Sequence, residues 1–401
     1  MKRIAIISSQ YFWLPTEAGP TRFFSIAKEF FERGYEVEII TSSFEHHEKK
    51  QRNKSLPTPF KTIYLDCPSY KKNIGVGRVI SNAVFSRKIR TFLNENGKKY
   101  DAVYCSLPPN NISAVAAKYC FENNIPFIAD IEDLWPEAMN MVVPGILKFL
   151  FHSFKKDAEK TYKYVDAVVG TSEEYSLRAS KYNDRSIPYK TVYVGCDISE
   201  FDKEAEENLQ QVSRSDGEIW VTYAGSIGYS YAIDNIVRAA KLLQDMGEER
   251  FRFKILGSGP LKDETEQLSK DLGCNNIEFT GYLPHPLMAA YLVRSDVLIN
   301  SFAKGASQSI VNKIGDYLAA GKPIVNTLEN KEMQKLIHDH EVGINVHAED
   351  PEALVKAIKK VFNNEKMMKN SRKLAEEKFD RKTSYKEISE LVSLIMKERK
   401  G

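Results

Sequence analysis

At 401 residues the chain is long enough for two substantial α/β domains, each with its own core. Its 57 basic and 54 acidic residues leave a formal net charge of +3, which gives no electrostatic footprint for nucleic acid. The five cysteines, at positions 67, 105, 120, 196 and 274, lack the paired spacing of a zinc or redox site, so a reducing, cytoplasmic compartment is the simplest expectation.

Met1, Lys2 and Arg3 run directly into the apolar stretch Ile4 to Ile7, which reads as a first strand with no secretory leader ahead of it. Further strands are expected near residues 36–41, 62–66, 102–106, 126–131, 167–171 and 191–194, with helices between most of them. The basic tract Lys49 to Lys54 reads as a mobile loop. The most apolar region, Met139 to Phe151, is interrupted by Pro144, Gly145 and Lys148 and is no transmembrane helix. Ile146 to Lys156 combines bulky apolar residues with Lys148, Lys155 and Lys156, as a helix at an anionic leaflet would. Alternatively, Leu147, Phe151, Phe154, Ala158, Tyr162 and Val165 form a core-facing stripe, and both readings hold if Phe149 is exposed.

In the second half, strands near 220–224, 251–256, 277–280, 297–300, 323–325 and 344–346 repeat the rhythm, so the fold class is α/β with two doubly wound Rossmann-like domains. The polar, acidic stretch Ser199 to Asp216 is the expected boundary. It divides a domain over 1–200, a linker over 201–216, a domain over 217–380 and a terminal helical segment over 382–401.

Ser309 to Pro323 is the most informative segment. Ile310, Ile314, Tyr317 and Leu318 share one apolar helix face, which leaves Lys313 and Asp316, three apart, together on another. Ser309 reads as the N-cap and Gly321 as the stop. Lys313 and Asp316 either face a ligand or form a surface ion pair of little energetic weight. Upstream, Ala224-Gly-Ser-Ile-Gly228 follows a strand and precedes a helix carrying Ile233, Ile236, Val237, Ala240 and Leu243. Amides at Gly225 and Gly228, with the Ser226 hydroxyl, are placed to meet a diphosphate, although alone the loop is equally an ordinary strand-to-helix turn. Leu256-Gly-Ser-Gly-Pro-Leu261, with Gly257, is similar.

Taken in order, these segments resemble the signature of retaining family 4 glycosyltransferases of the two-domain GT-B type. The resemblance is strongest to the N-acetylfucosamine-transferase-like branch of bacterial surface-polysaccharide enzymes. Counting back from Gly321 puts Asp316 and Gln308 at the places of the family's two glutamates. The resemblance implies that Asp316 accepts hydrogen bonds from the nucleotide ribose and that Gln308, with Ser309 and Ile310, lies at the donor sugar. Many members carry an Arg and a Lys after the glycine matching Gly225. Here the run is Ser226-Ile-Gly-Tyr-Ser-Tyr231, so Lys313 or Lys304 is left to supply the charge, Lys304 being equally an exposed loop lysine. Val194-Gly-Cys-Asp-Ile-Ser-Glu-Phe201 resembles the family's hinge, with Val194 and Cys196 departing from it. The resemblance also implies that the terminal helix returns to the first domain and that the active site is the interdomain cleft.

On the acceptor side, Glu17-Ala-Gly-Pro-Thr-Arg22 resembles the family's glycine-rich loop, with Gly19 and Thr21 at the acceptor and Arg22 either holding a phosphate or lying on the surface. Asp130-Ile-Glu-Asp-Leu-Trp-Pro-Glu137 resembles the branch's Asp-Leu-Trp-Pro run. Asp133 is placed to orient or take the acceptor proton, with Glu137 in support, and Trp135 as a sugar platform or a packing residue. The implied reaction transfers a sugar from a nucleoside diphosphate, UDP before GDP, to a sugar or polyprenyl-diphosphate-linked acceptor. It needs no metal and no cofactor beyond the donor, and the protein would sit peripherally on the cytoplasmic face of the membrane. A nucleotide-sugar 2-epimerase of the same fold and a sugar-nucleotide binder without catalysis are the alternatives.

Overall fold

The computed structural model describes residues 1–11, 22–46, 48–54, 57–73, 75–135, 137, 151–306 and 308–399. The chain forms two compact units, Met1–Val192 with Ser384–Gly401, and Tyr193–Thr383.

The first unit is built on β1 (Arg3–Ile7), β2 (Glu36–Ser42), β3 (Lys61–Leu65), β4 (Ala102–Leu107), β5 (Phe127–Ile131), β6 (Ala167–Gly170) and β7 (Tyr189–Thr191). All pairings are parallel, in the order β3-β2-β1-β4-β5-β6-β7. The central strands are largely apolar because helices cover both sheet faces. Phe85, Ile89 and Leu93 of the helix Val76–Asn96 pack on one side. Phe23, Ile26 and Phe30 of Arg22–Glu32 join Ile388, Val392 and Ile395 of Lys386–Glu398 on the other.

The second unit carries β8 (Ile219–Ala224), β9 (Phe251–Leu256), β10 (Ile277–Gly281), β11 (Val297–Asn300), β12 (Ile324–Asn326) and β13 (Gly343–Asn345). They form a parallel sheet in the order β10-β9-β8-β11-β12-β13. The order reverses between β8 and β11, where a doubly wound sheet opens a crevice at its carboxyl edge. Ile233, Ile236, Val237, Ala240 and Leu243 of the helix Ile233–Asp245 are buried as their spacing predicts. Fully burying each large aliphatic side chain contributes about 1.5–3 kcal/mol.

Two expectations are corrected, and one open choice is resolved. Residues 201–216 are no linker: Asp197 caps the helix Ile198–Asn208, whose Phe201 and Ala205 lie four apart and are buried in the second unit's core. The tract from Lys49 is partly ordered, since Lys50–Gln51 pairs antiparallel with Phe44–Glu45. In the helix Phe151–Tyr164, Ala158 and Tyr162 are buried, and Val165 just beyond it as well, so the core-facing stripe is realised there. Leu147, Lys148 and Phe149 lie outside the described residues. Among the described residues no helix is long and apolar enough to cross a membrane.

Candidate functional site

The loops after β8 and β9 are locked together at the carboxyl edge of the second sheet. The Gly225 amide donates to Leu256 O (2.9 Å), the Ile227 amide to Ser258 O (3.0 Å) and the Gly257 amide to Gly281 O (2.8 Å). A Cβ at Gly257 would stand 1.8 Å from Gly225 O, so glycine is required there for backbone packing. This corrects part of the expected phosphate cradle: the Gly225 and Gly257 amides are already engaged, and the helix opens only at Ile233. Ser226 is exposed, and its carbonyl accepts from the Tyr223 hydroxyl (2.7 Å).

The helix expected from Ser309 begins at Lys313, with Asn312 at its cap, and runs to Ala319. Gly321 adopts φ +64°, as a left-handed stop does. Tyr317 fixes this helix against the sheet: its hydroxyl accepts from the Ala224 amide (2.8 Å) and donates to Ile299 O (3.2 Å), bridging the ends of β8 and β11. Ile310 is buried in the second unit's core and offers no side chain to a ligand.

That anchoring sets the position of Lys313. Its Nζ is buried without a hydrogen-bond partner and lies 4.1, 5.0 and 5.3 Å from the ring centroids of Tyr223, Tyr231 and Phe302. A Cβ on Gly225, whose φ is +148°, would stand 3.1 Å from this ammonium, so glycine keeps the approach open. Cation–π contact holds the charge only in part. Burial lowers the Lys313 pKa to about 7. Gln308 Oε1 and Ser309 Oγ are also buried and unpartnered, so three expected donor-site residues share the same deficit. Lys304 is exposed.

Asp316 does not pair with Lys313. It faces His285 Nε2 at 3.5 Å, while His285 Nδ1 lies 2.6 Å from Glu204 Oε2. The surface ion pair is therefore replaced by a carboxylate–imidazolium–carboxylate chain that the sequence reading missed. Burial lowers the His285 pKa, but hydrogen bonds and charge from Asp316 and then Glu204 outweigh it and raise it to about 9. Because this folded value exceeds the unfolded one, the stabilisation is complete below about pH 6.5 and is lost as pH rises through 9. In an NMR titration His285 should remain protonated at pH 7.5, and Asp316→Ala should bring its midpoint down toward the unperturbed value. An unchanged midpoint would dissociate the two residues.

In the first unit, Asp133 follows β5, and its Oδ1 accepts from the Leu134 amide (2.9 Å); burial raises its pKa. Its neighbour Glu132, not singled out from sequence, is pushed well above the usual carboxylate range by burial and by the charge of Asp130. Trp135 packs 6.3 Å from Phe154 and beneath the Arg78 guanidinium, while Glu137 is paired with Arg178. Arg22 is neither a phosphate clamp nor a surface residue. Fully buried, it makes a bidentate pair with Asp130 (2.9 and 3.0 Å) and donates to Val192 O and Tyr385 Oη. Gly19 and Thr21 lie outside the described residues. Among the described residues no three His, Cys, Asp or Glu side chains gather as metal ligands would.

Residues 218–364, all within the second unit, match the family described as glycosyl transferases group 1. The chain is 23% identical over 298 residues to the probable glycosyltransferase WbjE of Pseudomonas aeruginosa, covering 72% of this chain and 71% of that protein. It is 27% identical over 187 residues to the putative colanic acid biosynthesis glycosyl transferase WcaI of Escherichia coli K12, covering 46% of this chain and 45% of that one. Among solved structures, sucrose-phosphate synthase from Thermosynechococcus elongatus superposes with a TM-score of 0.74 at 16% identity, over 99% of this chain and all of that one. Anabaena HepE in complex with UDP gives 0.71 at 15% identity, over 98% of this chain and all of that one. The fold is thus that of the GT-B glycosyltransferases, and the match to glycosyl transferases group 1 falls in its second unit.

Proposed function

We propose that this chain is a retaining glycosyltransferase of bacterial surface-polysaccharide synthesis, working at the cytoplasmic face of the membrane. It moves a hexosyl or N-acetylhexosaminyl group from a UDP-sugar to a sugar or lipid-linked acceptor. The observation that carries this reading is the buried, unpartnered Lys313 ammonium facing Gly225, with Gln308 and Ser309 similarly unsatisfied. A diphosphate is the group such a deficit fits, and a lysine there stands in for the cations absent from Ser226 to Tyr231. The polysaccharide context rests on WcaI's description, and the base rests on the UDP bound to HepE.

In this mechanism the bond from the sugar C1 to the β-phosphate oxygen breaks, with its electron pair leaving on the phosphate. The acceptor hydroxyl attacks from the same face, and its proton passes to the leaving phosphate or to Asp133. Lys313 stabilises the charge as it develops, and Asp316, oriented by His285, receives the ribose hydroxyls. Calorimetric titration with UDP, GDP and ADP should show saturable binding of UDP alone, equal with and without magnesium. Binding of none of them would remove the donor site, and UDP binding without turnover on any acceptor would leave a binder.

A further inference from the structure

The first unit holds two neighbouring cations for which no ion pair is found among the described residues. Arg78 lines a recess at the carboxyl edge of the first sheet with Ser9, Gln10, Ser42, His46 and Tyr70. Its Nη1 donates to Asn73 O (2.8 Å), and its guanidinium stacks on Trp135, 4.7 Å from the ring centroid. Lys49 reaches the same residue from the other side: its Nζ donates to Asn73 Oδ1 (2.5 Å) and to His46 O, and lies 5.2 Å from the Tyr70 centroid. Among the described residues neither cation has a carboxylate within ion-pairing distance, although the chain is rich in surface pairs. Glu45 is the acid that acts on Lys49, and its carboxylate is occupied by the Glu48 amide. Burial lowers the pKa of both cations, and the charge of Arg78 lowers that of Lys49 further. Two half-buried cations converge on one asparagine and repel each other, and an anion seated between them would offset that repulsion.

We infer that Arg78 and Lys49 bind a phosphate or diphosphate group of the acceptor, with His46 and Tyr70 as further polar contacts. This assignment rests on the transferase reading for the identity of its ligand, and it places at Arg78 the phosphate contact that was one of the two expectations for Arg22. Trp135 then acts as the platform that holds Arg78 flat, which links the anion subsite to the segment carrying Asp133. Two sources offer this chemistry, a soluble sugar phosphate and a lipid-linked diphosphate. Val76, Val79 and Ile80, exposed on the first turns of the helix that carries Arg78, would lie against the bilayer in the second case.

The test titrates inorganic pyrophosphate into the full chain saturated with UDP, so that the donor side is filled. One further equivalent should bind, and Arg78→Gln should weaken it at least about ten-fold, with Lys49→Gln giving a smaller loss and UDP affinity unchanged in both. Pyrophosphate binding that is absent, or that survives both substitutions, would overturn the assignment. If Arg78→Gln fails to fold, Lys49→Gln and the salt dependence of pyrophosphate binding decide instead. Phosphatidylcholine vesicles with and without a polyprenyl diphosphate separate the sources: Arg78-dependent recruitment marks the lipid, and pyrophosphate binding without recruitment marks the soluble phosphate. If wild-type protein fails to bind UDP, the transferase reading falls. Repeating the pyrophosphate titration on Lys313→Met then tests the Arg78 site independently.

Discussion

Lys313→Met should raise the dissociation constant for UDP by about ten- to a hundred-fold, the equivalent of losing one charge-assisted hydrogen bond of about 1.5–3 kcal/mol. The fold should survive, because methionine fills the space between Tyr223, Tyr231 and Phe302 and removes a buried group that has no partner. Lys313→Arg should not restore affinity, since a planar guanidinium is wider than the ammonium that the rings of Tyr223, Tyr231 and Phe302 surround. Unchanged UDP affinity in Lys313→Met would make the caged ammonium a packing feature and take away the main support for the donor site.

The same residue predicts a pH dependence whose sign is fixed. With its pKa lowered to about 7 by burial, Lys313 is partly neutral in the free protein at physiological pH. A bound diphosphate favours the charged form, so UDP binding takes up a proton above pH 7, and affinity falls as pH rises from there. For the free chain the order is reversed. The unfolded lysine holds its proton to about pH 10.4, so between 7 and that value the unfolded state binds more protons and stability rises with pH. Calorimetry of UDP binding in two buffers of different ionisation enthalpy should reveal the uptake in wild type and its loss in Lys313→Met.

What was legible in the sequence follows from how local each cause is. Strands such as Val297 to Asn300 announce themselves because a strand covered on both faces is apolar at nearly every position, and the helix Ile233–Asp245 because its apolar face repeats on the helical period. The acidic composition of residues 199–216 suggested a linker, yet the four-residue spacing of Phe201 and Ala205 was the stronger signal and marks a packed helix. Lys313 and Asp316 could be chosen as candidates, but their partners could not. Tyr223 near the end of β8, Tyr231 and Phe302 in loops and His285 at a helix start come from other elements of the second unit, a juxtaposition created by the doubly wound topology. One signal for His285 was present, a histidine opening a helix just after Gly281 on the same edge. Arg22 shows the converse failure. Its place on a first helical turn reads as surface, and its partner Asp130 is 108 positions away.

Arg22→Met should therefore be the most destabilising single substitution considered, by about 3–5 kcal/mol, because it strands the Asp130 carboxylate in the interior, where among the described residues only the Tyr104 hydroxyl (2.8 Å) then donates to it. The loss reaches beyond the pair. Arg22 also holds Val192 O at the end of β7 and Tyr385, which precedes the helix Lys386–Glu398, and its guanidinium lies 5.2 Å from the Tyr385 ring centroid. Glu132, whose pKa is already raised by burial and then by the charge of Asp130, would lose the opposing charge of Arg22. Asp130→Leu in the same background should recover much of the loss, since replacing both members of a buried pair removes the isolated charge that makes breaking it costly. Chemical denaturation of wild type, the two single variants and the double variant would measure this coupling. Additive losses would mean that Arg22 acts by packing alone, and the acceptor-phosphate role once read for it would then have to be tested afresh against Arg78.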